Sequence, residues 1–452
     1  MTDLELGFDL EFADLYRRDG LVRIDRLFLD HLAGADAALA GRLDAARGEP
    51  AAVAGSDLSD LLVAVAPHLE DFLATLFAVV PQVQALRAAQ DALAPLYAAK
   101  RLFVQRRAAK AVGAGEALAL DGPALAARLE GWLGEPLDEP AFARAVLAWM
   151  AAEAEHGDQL DTAARYAAWA LHTPAGRARH GGGLLFQVPQ RTDPGHLVAV
   201  AAEDAGGVPA VVSAIVAPPG HRRSRQGFAL TDPGTDLAGG LDQANYCIWC
   251  HEQGKDSCSR GLRDRKTGAL AHSAHGVPLH GCPLDERISE MHRLKATGVP
   301  LGALAVAVVD NPMLAATGHR ICNDCMKSCI YQKQQPVDIP QAETRILKDV
   351  LELPWGFEIY GLLTRWNPLN VVRPLVRPDS GYTVLVVGLG PAGFTLAHHL
   401  LNDGHTVVGV DGLKIEPLPA GLSGVLPSGR RVPFRPVRSE EHTSELQSRV
   451  DI

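Results

Sequence analysis

The chain has 452 residues, 47% of them hydrophobic, 6% aromatic and 21% charged, with a formal net charge of −10 at neutral pH. At roughly 150 residues per domain this predicts about three globular domains, and the acidic balance excludes a general nucleic-acid or anionic-membrane binder, which needs clustered Lys and Arg. Residues 1–10 are acidic where a secretory leader is basic, and the longest apolar run, residues 301–309, falls far short of the roughly 20 residues that span a bilayer, so a soluble cytoplasmic protein is expected.

Residues 1–178 read as a helical domain rich in Ala and Leu. Leu69, Leu73, Leu76, Phe77 and Val80 fall on one apolar helix face. Asp138 followed by Pro140 is a helix start, with Phe142, Val146, Trp149 and Met150 as the next buried stripe. These stripes are core and carry no chemistry. Gly181, Gly182 and Gly183 precede an apolar run over residues 184–188, which predicts a turn into a strand; no Gly-Lys-Ser/Thr follows, which speaks against a phosphate loop. Residues 179–240 read as a mixed region or linker, and its basic run His221, Arg222, Arg223, Arg225 as a solvated face.

Composition changes at residue 241. All seven cysteines lie within 83 residues, spaced Cys247-x2-Cys250-x7-Cys258-x23-Cys282 and then Cys322-x2-Cys325-x3-Cys329. An odd count in a reducing compartment argues against disulfides. Two thiolates two residues apart grip one metal centre from a single turn of backbone, and a cubane cluster draws its other ligands from elsewhere in the fold. Structural zinc on Cys247, Cys250, Cys322 and Cys325 is the competing reading, and it leaves Cys258, Cys282 and Cys329 without a role. Neither Cys-x-x-Cys sits in a βαβ pattern, which speaks against a thioredoxin-like pair.

These residues resemble a family. Cys247-Ile248-Trp249-Cys250, then Gly281-Cys282-Pro283-Leu284, and the run from Ala316 through Gly318, His319, Arg320 and Ile321 to Cys322-Asn323-Asp324-Cys325 and Cys329 are similar to the N-terminal iron–sulfur domain of the glutamate synthase small subunit, shared by dihydropyrimidine dehydrogenase. Pro336-Val337-Asp338-Ile339 continues the pattern, and the resemblance covers about residues 240–415. It implies two [4Fe–4S] clusters. Cys247, Cys250, Cys258 and Cys329 would hold the first. Cys282, Cys322 and Cys325 would hold the second, with Glu343 at the family's Glu or Gln ligand; the other reading of Glu343 is a solvated helix-surface acid. The sequence departs from the family in a 23-residue stretch with His272, His275 and His280 before Cys282.

Residues 383–387 form a β-branched strand run that enters Gly388-Leu389-Gly390-Pro391-Ala392-Gly393, followed by helix, a second strand at 406–410, and Asp411, 18 residues past Gly393. Gly388 makes the tight turn, Gly390 admits a pyrophosphate, Gly393 lets helix and strand close, and Asp411 would accept from the ribose hydroxyls. Pro391 and Ala392 resemble flavin-binding members, which implies FAD here and NAD(P)H at a second Rossmann unit in a longer protein. Residues 376–437 read as an incomplete FAD/NAD(P)-binding unit, and residues 438–452 as a non-native tail that looks like a translated sequencing adapter.

The expected architecture is multidomain and mainly α: a helical N-terminal region, an α-helical ferredoxin-like iron–sulfur domain over residues 241–375, and the start of an α/β Rossmann-type domain. The expected function is electron transfer among NAD(P)H, FAD and two clusters, with an electron-accepting partner domain or subunit. A fragment of such an enzyme would be inactive by itself, and a non-catalytic, metal-stabilised helical interaction module is the alternative.

Overall fold

The computed structural model describes residues 5–53, 55–196, 200–203, 214–217, 227, 234–318 and 322–412. Residues 413–452, including the expected tail and the remainder of the nucleotide-binding unit, lie outside the described residues. The molecule is mostly helical, and no helix among the described residues is long and apolar enough to cross a membrane.

Three helices open the chain: α1 (Arg18–Ala35), α2 (Ala37–Gly48) and α3 (Ser56–Leu76). Leu69, Leu73, Leu76 and Phe77 are buried as their spacing predicts, and the stripe stops there. Ala78 takes a left-handed φ of 52°, and Val80, 37% exposed, begins α4 (Val80–Ala99). Pro81 explains the break, because it has no N–H to continue α3 and is at home in the first turn of α4. A second group follows: α5 (Gly122–Leu133), α6 (Glu139–Ala151), α7 (Gly157–His172) and α8 (Pro174–His180). Asp138 caps α6 as expected, accepting the Ala141 N–H at 2.7 Å, and Phe142 and Val146 are buried.

The strand expected over residues 184–188 does not form. Glu139 Oε2 accepts the N–H groups of Leu184 and Leu185 at 2.8 and 2.9 Å, and Leu185 and Phe186 pack into the helical core. Donors already taken by a carboxylate cannot enter a ladder. The short antiparallel pair β1 (Ala201–Glu203) and β2 (Ala214–Val216) lies further on.

The cysteine segment adds α9 (Leu237–Tyr246), α10 (Ser257–Arg260), α11 (Ile288–Ala296), α12 (Pro300–Asp310), α13 (Asp324–Ser328), α14 (Ile339–Leu351) and α15 (Gly356–Leu363). The cores do not follow chain order. α1–α3 share one hydrophobic core with α11–α15, whereas residues from Leu96 to Phe186 form another, joined by Leu241. Trp366 donates to Asp25 at 2.8 Å and Arg47 pairs with the same carboxylate at 3.0 Å, tying α1 and α2 to the far end of the cysteine segment.

Glu70 of α3 makes the second tie. It is fully buried, pairs with Arg87, and accepts the N–H groups of Leu301 and Gly302 at the open end of α12, at 2.7 and 3.2 Å. Burial is the main cause that pushes its carboxyl up to about 7, against Arg87. A carboxyl raised on folding stabilises most below its unfolded value of about 4.5, and that contribution is lost as pH rises toward 7. Glu70→Gln keeps an acceptor for α12, so the melting temperature of the variant should vary less than the parent's between about pH 5 and 7. Identical pH dependence in thermal melts would count against this assignment.

After residue 382, β3 (Thr383–Val387) and β4 (Thr406–Val410) pair in parallel around α16 (Pro391–Asn402). Val386 is buried, while Leu385, Val387, Leu396 and Leu401 each expose more than half their surface.

Candidate metal and nucleotide sites

α9 delivers the first thiol. Asp236 caps the helix at Gly239 N–H, 2.8 Å away, and Cys247 follows its last turn. Trp249 then takes a left-handed φ of 51°, which turns its N–H onto Cys247 Sγ at 3.4 Å and carries the chain to Cys250. α10 supplies Cys258, and α13 ends at Cys329. Cys247, Cys250, Cys258 and Cys329 line one small apolar cavity closed by Ile288, Val337 and Ile339. Tyr331 lines it too and stacks on Tyr246, ring centroids 4.7 Å apart.

Burial is the leading cause that pushes these thiols up. Cys247 reaches about 12, with the Trp249 N–H opposing and Cys250 and Cys329 adding to the rise. Cys258 is raised by burial and by Cys247, Asp256, Cys329 and Cys250 around it. The backbone N–H groups of Tyr331 and Val337 point at Cys329. Burial makes these thiols resist ionising, the N–H donors facing them oppose that resistance, and a bound cation reverses the balance. The donor set fits soft iron–sulfur ligation, where hydrogen bonds to sulfur and low exposure tune the centre.

The 23-residue departure from the family pattern closes on itself. Leu262 N–H donates to the Leu279 carbonyl at 3.0 Å, Leu279 N–H donates to Ala271, and at the base the Cys282 N–H donates to the Cys258 carbonyl at 2.8 Å. His272, His275 and His280 stand exposed on this excursion. Gly281 makes the return possible: at φ 87° a Cβ would lie 2.4 Å from the Ser259 carbonyl.

Cys282 and Cys325 are electrostatic neighbours of Glu343 and of a second buried carboxylate, Glu286. Burial pushes Cys282 up to about 11 and Glu343 up to about 8, the latter opposed by the Asn311 amide, which donates to Oε1 at 3.1 Å. Glu343 is therefore buried on α14, which overturns the solvated-surface reading. Glu286 is raised by burial and by the charges of Glu343 and Asp310, and its Oε1 has no hydrogen-bond partner. Cys322 is exposed and accepts the Asp324 N–H at 3.5 Å; it follows residues 319–321, which lie outside the described residues. Among the described residues no three His, Cys, Asp or Glu side chains form a group that could hold a single metal ion.

The glycine loop joins β3 to α16. Gly388 sits at φ 90°, and a Cβ on Gly393 would lie 1.8 Å from the Gly388 carbonyl, so both positions require glycine. Gly390 caps α16, with open space beside it, and Pro391 and Ala392 form the exposed first turn. Asp411 Oδ2 accepts the Leu389 N–H at 2.6 Å, which fixes the loop to the end of β4.

Sequence spacing missed Glu286, Tyr331 and the wholly buried His292, which lines the cavity of the first four thiols. Tyr331 stands two residues after Cys329 and could have been suspected; His292 and Glu286 carry no signal outside the tertiary structure.

Residues 6–78 match the RP005 N-terminal alpha-helical domain. The uncharacterized protein RP006 of Rickettsia prowazekii (strain Madrid E) is 63% identical over 106 residues, which is 24% of this chain and 15% of that protein. The uncharacterized protein RP005 of the same organism is 29% identical over 306 residues, 65% of this chain and 99% of its own length. The glutamate synthase [NADPH] small chain of Mycobacterium tuberculosis (strain CDC 1551 / Oshkosh) is 32% identical over 138 residues, 29% of this chain and 25% of that one. The chain thus spans 15% of the first relative and a quarter of the last. No solved structure matches.

Proposed function

We propose that the chain is the electron-transfer portion of a cytoplasmic oxidoreductase that uses NAD(P)H, FAD and two [4Fe–4S] clusters. The observation that carries this reading is the convergence of Cys247, Cys250, Cys258 and Cys329, from three separate segments, on one dry cavity. The partial likeness to a glutamate synthase small chain supports it. Cys282, Cys322, Cys325 and Glu343 would serve the second cluster. The bound clusters supply one-electron transfer between flavin and a partner domain or subunit. The chain's own residues keep water away, aim backbone N–H groups at sulfur and hold the thiols in place.

The Gly388–Gly393 loop would receive the FAD pyrophosphate at the start of α16, and Asp411 would exchange its Leu389 contact for a ribose hydroxyl. Gly393→Ala should therefore abolish flavin retention, read from absorbance, while leaving iron content unchanged. Retained flavin would remove the loop from the proposal.

Iron, acid-labile sulfide and EPR measurements on anaerobically purified protein test the main reading. About eight irons and eight sulfides per chain are expected for two cubanes. Zinc near one per chain without iron would instead make the protein a metal-stabilised helical interaction module.

A further inference from the structure

His292 sits on α11, 0% exposed, and neither ring nitrogen has a hydrogen-bond partner. It lines the same cavity as the four thiols of the first site. Ile288, Val337 and Ile339 close this cavity without an acceptor, and Ser257, whose Oγ has no hydrogen-bond partner, lines it too. Of the polar side chains beside His292 on α11, Ser289 Oγ bonds His251 at 2.6 Å, and Glu290 bonds Ser59 through Oε1 at 2.5 Å while its Oε2 has no hydrogen-bond partner. Whichever ring nitrogen carries the proton, an imidazole keeps at least one N–H donor. A buried donor without an acceptor is costly, and such a group in a native fold points to an acceptor that the protein itself does not provide.

We propose that His292 donates a ring N–H hydrogen bond to a sulfur of the cluster held by Cys247, Cys250, Cys258 and Cys329, and so raises that cluster's reduction potential. The proposal rests on the first-cluster reading above. Four thiolates already satisfy the four irons of a cubane, so His292 is a positioning residue and not a ligand. Sulfur gains negative charge on reduction, and a fixed N–H beside it stabilises the reduced state more than the oxidised one.

The test uses the full chain, purified anaerobically, with its histidines selectively labelled with 15N. After iron and sulfide content establish that the first site is loaded, pulsed EPR of the reduced protein should show a 15N-imidazole coupling to one cluster. His292→Phe should lose that coupling. It should also lower the reduced-to-oxidised ratio of that cluster about tenfold at fixed potential, a shift of about 59 mV for one electron. His292→Gln, which keeps an N–H donor, should shift it less. A loaded wild-type site without 15N coupling overturns the proposal, and that measurement needs no variant to fold. Equal potentials in wild type and His292→Phe overturn it as well. Absence of iron from the wild type takes down the first-cluster reading itself and the proposal with it, so the two failures are distinguishable.

Discussion

Asp349→Asn should destabilise the protein by about 3–5 kcal/mol, the cost typical of breaking a buried ion pair by removing one partner. Asp349 on α14 is 1% exposed; its carboxylate pairs with Lys295 of α11 and accepts from Arg345 Nε at 2.7 Å. Lys295 is fully buried, so the variant leaves its ammonium with no anion to replace water. Arg345 suffers less, because Glu352 still holds it at 2.9 Å. Burial lowers the Lys295 pKa, and in the parent Asp349 opposes that fall. A base depressed on folding stabilises most above its unfolded value, about 10.4, and loses that contribution as pH falls. The deficit of Asp349→Asn should accordingly be larger at pH 6 than at pH 9 in denaturant titrations. Lys295→Met combined with Asp349→Leu should recover most of the loss, since two apolar groups need no mutual partner. A cost below about 1 kcal/mol for the single variant would show that the pair is solvated in solution. The pair clamps the helix that carries His292 to the helix that carries Glu343, so its loss should loosen both proposed sites.

Cys258→Ser and Cys282→Ser should each remove one cluster, leaving about four irons and four sulfides per chain in place of about eight. The two cysteines are joined at the backbone, Cys282 N–H to Cys258 carbonyl, yet the proposed ligand sets separate their thiols. Cys258→Ser should also lower the melting temperature more, because Cys258 belongs to the main hydrophobic core, as do Cys325 and Cys329, whereas Cys282 only packs against it. Complete loss of iron from both variants would indicate one shared centre and sink the two-site assignment. Wild-type iron in either variant would remove that cysteine from the ligand set.

Local signals were legible without coordinates where the physics is local. Asp138 with Pro140 announced α6, because a cap needs only its own first turn. The glycine loop was legible for the same reason: Gly388 is demanded by its own left-handed φ and Gly393 by the Gly388 carbonyl five residues before it. The run at residues 184–188 misled because apolar composition does not report where backbone donors go, and the acceptor, Glu139, stands 45 residues away. The α3 stripe overran its helix because the apolar spacing ran on to Val80, next to Pro81, the stronger signal.

By itself, then, the sequence determined the helical character of the N-terminal region, the concentration of seven thiols in one segment and the strand–loop–helix–strand order around Gly388, since these depend on spacing and local backbone preference. Only the tertiary structure decided that α1–α3 share a core with the cysteine segment, that Cys247, Cys250, Cys258 and Cys329 face one cavity, and that Glu343 is buried beside Glu286. Those outcomes depend on contacts between residues tens to hundreds of positions apart, where the burial of one side chain is set by whichever distant surface covers it.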